Sequence, residues 1–322
     1  MKILQAMVAA CVAMAALHSA GYAAQGYPDR PIRLVVPYPP GGAADIIGRT
    51  LGGKLAEELG QQVIVDNRAG GGQIIGTEVV ARAPADGYTI LQCSITQAIN
   101  PSLRRHLPYD TVKAFAPISF IASSPLVLVV HPSLPVHTVK QLIALAKARP
   151  GELNYASSGI GSGGHLAMAL FVDMTHTNIA HVPYKGAGPA MVDLIAGQTQ
   201  MLLTSPIAAV PHVKAGQLRL IAVTSAHRSA AMPNVPTIGE TVPGYEASLW
   251  YGFLAPAGTP HAIVMKLNAA VRKALAMQDV RTLFAKYGAD VSPGSPEQFQ
   301  KYIVQEIAKW RTVIRNAGIK PE

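Results

Sequence analysis

Cysteine is nearly absent: Cys11 and Cys93 are the two in 322 residues, so this chain can close one disulfide at most. The N-terminal residues remove even that. Met1 to Ala6 carry one lysine, Met7 to Leu17 are apolar, and Gly21-Tyr22-Ala23 supply small residues for a cleavage site, the layout of a secretory signal peptide over residues 1–23. The apolar run is shorter than the roughly 20 residues needed to span a bilayer, which points to a cleaved leader rather than an anchor. Val8-Ala9-Ala10-Cys11 has the look of a lipoprotein box, but too few residues precede it for a working apolar region. Cleavage after Ala23 discards Cys11, and the exported chain must rely on its core, which about 300 residues suffice to build. Cys93 ends the strand-like run Tyr88-Thr89-Ile90-Leu91-Gln92-Cys93, where a buried, unreactive thiol is expected.

Charge is also scarce, at 14% of residues against 49% hydrophobic ones, the balance of a well-packed globular protein. No run after the leader is long enough to cross a membrane as a helix. Acidic residues are outnumbered: the formal charge of +9 becomes +8 once Lys2 leaves with the leader, a field that favours anionic solutes. Lysines and arginines are scattered and aromatics are 6%, so the basic-patch signature of nucleic-acid binding is missing. The ten histidines form no metal-ligand spacing, and neither metal nor cofactor is expected. No repeat of 20–50 residues suggests a solenoid, and the length favours two domains.

What the chain does have is two loops built alike. In the first, Ile32–Val36 reads as a strand and runs through Pro37-Tyr38-Pro39-Pro40-Gly41-Gly42 into a helix whose Ile47, Leu51, Leu55 and Leu59 recur every four residues before Gly60. Prolines stiffen such a loop, glycines let the backbone approach a ligand, and the free N–H groups of the helix start can hold a carboxylate. Asp45 falls in the first turn, where it stabilises the helix dipole with or without a ligand. In the second loop, Ser157-Ser158-Gly159-Ile160-Gly161-Ser162-Gly163-Gly164-His165 separates a short strand ending near Ala156 from a helix carrying Leu166, Ala169 and Leu170. Gly159, Gly161 and Gly164 spell a dinucleotide-binding pattern, but the next strand ends in Pro183-Tyr184-Lys185 without the ribose-binding acid. A hydrolase elbow fails as well, because Ile160 stands two residues before Ser162 where glycine is required.

Elsewhere short β-branched runs alternate with helical patterns. Strands are expected at 62–66, 88–92, 126–130, 153–156, 179–183, 201–204, 218–224 and 249–255, and helices at 74–82, 139–148, 189–196, 207–214 and 262–276. This is an α/β protein with largely parallel sheets. The last helix opens with a capping box at Ser295 and Gln298 and carries the stripe Phe299, Ile303, Ile307, Trp310 and Ile314, a packing surface rather than a ligand platform.

The mature chain resembles the receptors of tripartite tricarboxylate transporters, the TctC-like or Bug extracytoplasmic solute-binding proteins. The resemblance rests on Tyr27-Pro28-Asp29-Arg30-Pro31-Ile32, the Pro-Gly-Gly loop up to Asp45, Asp66-Asn67-Arg68-Ala69-Gly70-Gly71-Gly72, Ala85-Asp86-Gly87-Tyr88-Thr89, Leu107-Pro108-Tyr109-Asp110 and Leu153-Asn154-Tyr155-Ala156-Ser157-Ser158-Gly159. His181-Val182-Pro183-Tyr184-Lys185-Gly186 and Ala255-Pro256-Ala257-Gly258-Thr259-Pro260 extend it. It implies a type II periplasmic binding protein: two α/β lobes, residues 24–124 with 248–322 and residues 125–247, joined by hinge strands near Ser124-Pro125 and Ser248 around an interlobe cleft. It implies a small carboxylate ligand, delivery to the permease subunits of the transporter or to a sensor, and a monomer. By position, Tyr38, Pro39, Pro40, Gly41, Gly42 and Ala43 would hold one carboxylate. Ser157, Ser158, Gly159, Ser162 and His165 would serve from the second loop. Tyr184, Lys185 and Gly186 would form a further wall, with Asp193 orienting a polar group or a loop and Thr204 at a variable pocket position. Tyr38 stands where the family commonly has an apolar aromatic, Gln97 in a region where members vary and Thr204-Ser205 at a variable pocket position, so ligand identity stays open.

Several of these residues have purely structural alternatives: His165 can donate to a loop carbonyl, Lys185 can be a solvated charge, and Asp193 can fix a loop. The other functional class is an exported hydrolase or transferase using Ser162 with His165 or His181. It lacks an orienting acid in any recognisable motif.

Overall fold

The computed structural model describes residues 26–321 except Gly42, Ala230 and Tyr287; the signal peptide expected at 1–23 lies outside the described residues. In chain order the elements are β1 (Ile32–Val36), α1 (Ala43–Leu59), β2 (Val63–Asn67), a 3-10 turn (Gly71–Gln73), α2 (Ile74–Ala81), β3 (Thr89–Ser94), α3 (Thr96–Leu103), β4 (Phe115–Pro125), β5 (Val127–Val130), α4 (Val139–Ala148), β6 (Asn154–Ser157), α5 (Gly163–Thr175), β7 (Ala180–Pro183), α6 (Ala187–Ile195), β8 (Met201–Thr204), α7 (Pro206–Lys214), β9 (Arg219–Val223), a second 3-10 turn (Ile238–Glu240), β10 (Ser248–Pro256), α8 (His261–Ala276), α9 (Gln278–Lys286), β11 (Asp290–Val291) and α10 (Pro296–Asn316).

They form two sheets, ordered β11-β4-β10-β3-β1-β2 and β7-β6-β8-β5-β9. Neither is largely parallel, which corrects the expectation from alternation. Parallel pairing is confined to β1 with β2 and β3, and to β6 with β7 and β8, whereas β10 runs antiparallel to β3 and β4, and β5 antiparallel to β8 and β9. The reversal follows from β4, β5 and β10, which carry the chain between sheets. Only Leu126 separates β4 from β5; its N–H donates to Thr224 Oγ1 at 2.7 Å, and Ala247 N–H returns to the Thr224 carbonyl at 3.0 Å just before β10 begins. A wholly buried Thr224 thus ties the outgoing and returning strands together.

The apolar periodicity of α1 buries Ile47, Leu51 and Leu55 against β1, and Gly60 ends the helix with φ +69°, the left-handed geometry expected of its C-terminal cap. In α10 both halves of the Ser295/Gln298 capping box are present, and Trp310 is fully buried, its indole N–H on Glu306 Oε2 at 2.9 Å. The carboxylate of Glu306 also accepts from Trp250 Nε1 at 3.0 Å and pairs with Lys309, fixing α10 across β10. Cys93 is buried as expected, its thiol donating to the Gly252 carbonyl, and burial pushes its pKa upward. No helix among the described residues is long and apolar enough to cross a membrane.

Candidate functional site

Both loops occupy the carboxyl edges of their parallel strands, the side on which open α/β sheets present ligand-binding groups. In the first, Gly41 adopts φ +87° and its N–H donates to Asp45 Oδ2 at 2.9 Å. The same oxygen accepts from Arg49 Nε at 3.0 Å, and Oδ1 accepts from Asn67 Nδ2 at 2.9 Å. These bonds, that from Arg49 foremost, pull the buried Asp45 carboxyl down to about 2. The helix start is therefore answered by the protein's own acid, as its first-turn position suggested, and Gly41 has no N–H left for a ligand. Pro39 and Pro40 are exposed, Ala43 begins α1, and Gly42 lies outside the described residues.

Tyr38 belongs to a hydrogen-bonded ring that the sequence reading did not find. Its hydroxyl donates to Ser94 Oγ at 2.7 Å and accepts from Gln73 Nε2 at 2.7 Å; Ser94 Oγ donates to Gln73 Oε1 at 3.0 Å, and Gln73 Nε2 also donates to Thr96 Oγ1 at 2.6 Å. Gln73 holds φ +75°, one of two non-glycine residues with positive φ among those described. Such backbone persists where the surroundings over-determine it, and here three side chains grip one amide. The one available signal was the Gly70-Gly71-Gly72 run beside Gln73, which carried the resemblance without a role assigned.

The second loop divides into a scaffold and a lining. Ser157 is fully buried, with Oγ 2.6 Å from His181 Nε2 and bonded to both the N–H and the carbonyl of Gly159 at 3.1 Å. Ser162 Oγ caps α5 by accepting from His165 N–H at 3.3 Å. His165 Nδ1 accepts from Gly161 N–H at 3.0 Å, so its role is the reverse of donating to a carbonyl, and its other ring nitrogen carries the proton. The His165 and His181 rings stack at 3.9 Å and 9°, with Tyr155 next at 4.8 Å from His181. Burial, helped by the neighbouring His181, pushes His165 down to about 4. Both histidines line a groove of about 790 Å³ beneath residues 316–321. Ser157, Ser162 and His165, expected as ligand contacts, hold the loop in shape. Tyr184 donates to Asp193 Oδ2 at 2.7 Å, and Lys185 is exposed.

The lining is a smaller cavity of about 200 Å³ bounded by Ser158, Gly163, Gly164, Ala187, Thr204 and Ser205, with Leu126, Leu202, Leu203 and Leu249 behind them. Gly163 and Ala187 open α5 and α6, and Ser205 is the N-cap of α7. Three helix N-termini therefore converge on one space whose walls carry no charged side chain. Gly164 is required by contact: a Cβ there would lie 2.4 Å from the Leu203 carbonyl oxygen. Of the expected residues, Ser158 and Thr204 meet at this cavity, and Gly186 caps α6 beside it with φ +129°. Convergent helix N-termini attract an anion by dipole and by N–H groups without intrahelical partners.

The sequence model of the tripartite tricarboxylate transporter family receptor matches residues 47–319. Protein BugT of Bordetella pertussis is 40% identical over 99% of both chains. Among solved structures, an R. palustris protein with adipate is 39% identical, superposes with TM-score 0.78, and is covered completely by 92% of this chain. MatC from Rhodopseudomonas palustris with bound malate is 30% identical at TM-score 0.73, with 89% of this chain covering all of it. With a family match over most of its length and a relative similar from end to end, the chain belongs to the tripartite tricarboxylate transporter receptors, a family of solute-binding proteins.

Proposed function

We propose that this receptor captures a small organic acid outside the cytoplasm, with one carboxylate at the meeting point of the α5, α6 and α7 N-termini, and delivers it to the membrane subunits of a tripartite tricarboxylate transporter or to a sensor. The observation that carries this reading is the convergence of three helix starts on a cavity without a charged wall. An anion there is balanced by backbone dipoles, each worth about 0.3–1 kcal/mol, and by Ser158 and Thr204 hydroxyls. The adipate and malate bound by relatives are acids of this class. Residues 24–124 with 248–322 form one lobe and 125–247 the other; the joint at Leu126, Thr224 and Ala247 is the hinge, and ligand bridging the lobes closes them. Export by the 1–23 leader, action as a monomer and a non-catalytic role complete the proposal. The hydrolase alternative loses support because Ser162 Oγ serves as a helix cap, and the serine that does meet a histidine, Ser157, is buried.

Thermal unfolding of the refolded mature protein against mono- and dicarboxylates, amino acids and neutral sugars tests the reading. Ligand at 100 times Kd stabilises the folded state by about 2.7 kcal/mol. A midpoint rise confined to particular acids, with the acid recovered unchanged, is expected. A rise with sugars only, with no compound, or with turnover of the acid refutes it.

A further inference from the structure

Strand β10 carries a hydroxyl that the fold leaves unanswered. Its Trp250 turns toward α10, bonded to Glu306 and edge-on to Phe299 at 5.9 Å, so Leu249 and Tyr251 share the opposite face. Leu249 lines the cavity at the three helix N-termini. Tyr251 lies two residues further along, directly across the ladder from Ser94, which is a member of the Tyr38 ring. Paired residues in an antiparallel ladder project to the same side. Tyr251 thus stands at the seam between the cavity of one sheet and the ring of the other.

The hydroxyls around it are engaged. Tyr38 donates to Ser94, Ser94 donates to Gln73, and Gln73 uses its amide hydrogens on Tyr38 and Thr96. Thr96 in turn bonds to the Tyr38 phenol, so among the described residues the hydroxyl left without a protein acceptor is that of the half-buried Tyr251. Burial, reinforced by Tyr38, keeps the Tyr251 phenol protonated far above neutral pH, so it is a donor under all ordinary conditions. A protonated hydroxyl that no protein acceptor answers is free to donate to a ligand oxygen.

We propose that Tyr251 is a specificity-determining residue that donates its hydroxyl hydrogen to an oxygen at the far end of the ligand. The site therefore selects acids with an oxygen acceptor at both ends, an α,ω-dicarboxylate above all. One carboxylate lies at the helix N-termini and the other at the Tyr251 hydroxyl. This inference rests on the receptor reading and adds the ligand's second anchor.

Isothermal titration of wild type and Tyr251→Phe with succinate, glutarate and adipate, each paired with the monocarboxylate of equal chain length, tests it. Wild type is expected to prefer a dicarboxylate. Y251F is expected to weaken that dicarboxylate at least tenfold and its monocarboxylate partner less than twofold, with the ligand-free melting temperature unchanged because the hydroxyl has no protein partner. Equal losses for both acids, an unchanged dicarboxylate affinity, a lowered ligand-free melting temperature, or a wild type that prefers monocarboxylates overturns the assignment. A wild type that binds no acid overturns the receptor reading together with it, whereas a wild type that binds a dicarboxylate as tightly as Y251F does removes this subsite alone.

Discussion

Acidification should weaken this protein through the imidazole stack of His165 and His181. His165 is buried with Nδ1 accepting from Gly161 N–H and its ring 3.9 Å from His181. Its pKa falls from 6.5 to about 4, by burial first and the neighbouring imidazole second, and burial lowers His181 too. Of the groove's other charged groups, Asp173 already accepts from Asn316 Nδ2 at 3.1 Å, while His176 and Lys320 add no negative charge. Between pH 6.5 and 4 the unfolded chain binds a proton at this position that the folded one refuses. Stability therefore falls as pH drops through that window and levels off below it. From the two pKa values, His165 alone removes about 2–3 kcal/mol between pH 7 and pH 4.5. The Asp45 carboxyl, held well below its ordinary 3.8, begins to contribute only at more acid pH. Urea unfolding of wild type and His165→Asn at half-unit steps measures the difference, since asparagine can accept from Gly161 without titrating. Wild type should lose about 2–3 kcal/mol more than the variant over that range. Parallel curves would refute the neutral-stack argument, and a steeper loss in H165N would reverse its sign.

Three further outcomes follow from contacts. Asp45→Ala removes an acceptor from the Gly41 N–H, the Asn67 amide and Arg49 Nε and should cost about 2–4 kcal/mol in denaturant unfolding; in wild type the Asp45 contribution is present above pH 3.8 and is lost as pH falls through about 2. Gly164→Ala drives a Cβ into the Leu203 carbonyl and should destabilise by at least about 2 kcal/mol with loss of acid binding, whereas Gly53→Ala, on an exposed stretch of α1 with nothing within 4 Å, should stabilise by about 0.5–1 kcal/mol. Glu306→Ala leaves two indole N–H groups and Lys309 without their acceptor and should lower stability by about 2–4 kcal/mol, read as a drop in melting temperature with acid affinity retained.

Local patterns carried the elements whose residues decide their own conformation. The four-residue apolar period of α1, the Ser295 capping box and the glycine-rich turns are short-range physics, and each stands where the sequence puts it. Strand β4 was missed because Phe-Ala-Pro-Ile-Ser-Phe-Ile-Ala-Ser-Ser-Pro neither alternates nor avoids proline; pairing with β10 along its whole length makes it a strand. Helix α3 was missed for its polar residues and Pro101, and it is held by Asn100 on the Gly72 carbonyl and by packing against α10. Helix α9 also escaped detection, its apolar Val280 and Phe284 reaching the core only through docking beside α8.

The sequence by itself determined the family, the two glycine-rich loops and the helices behind them, because those depend on spacing within some twenty residues. Tertiary structure decided what each loop side chain does. Ser157, Ser162 and His165 look like ligand contacts in the chain, yet His181 arrives on the adjacent strand to engage Ser157 and stack on His165. Gln73, Ser94, Thr96 and Tyr251 carry no linear signal, since they meet only where β1, β3 and β10 lie side by side. Hydrogen bonds form between groups that the fold brings within 3 Å, and a hydroxyl is free to bind a ligand only after the fold has failed to satisfy it.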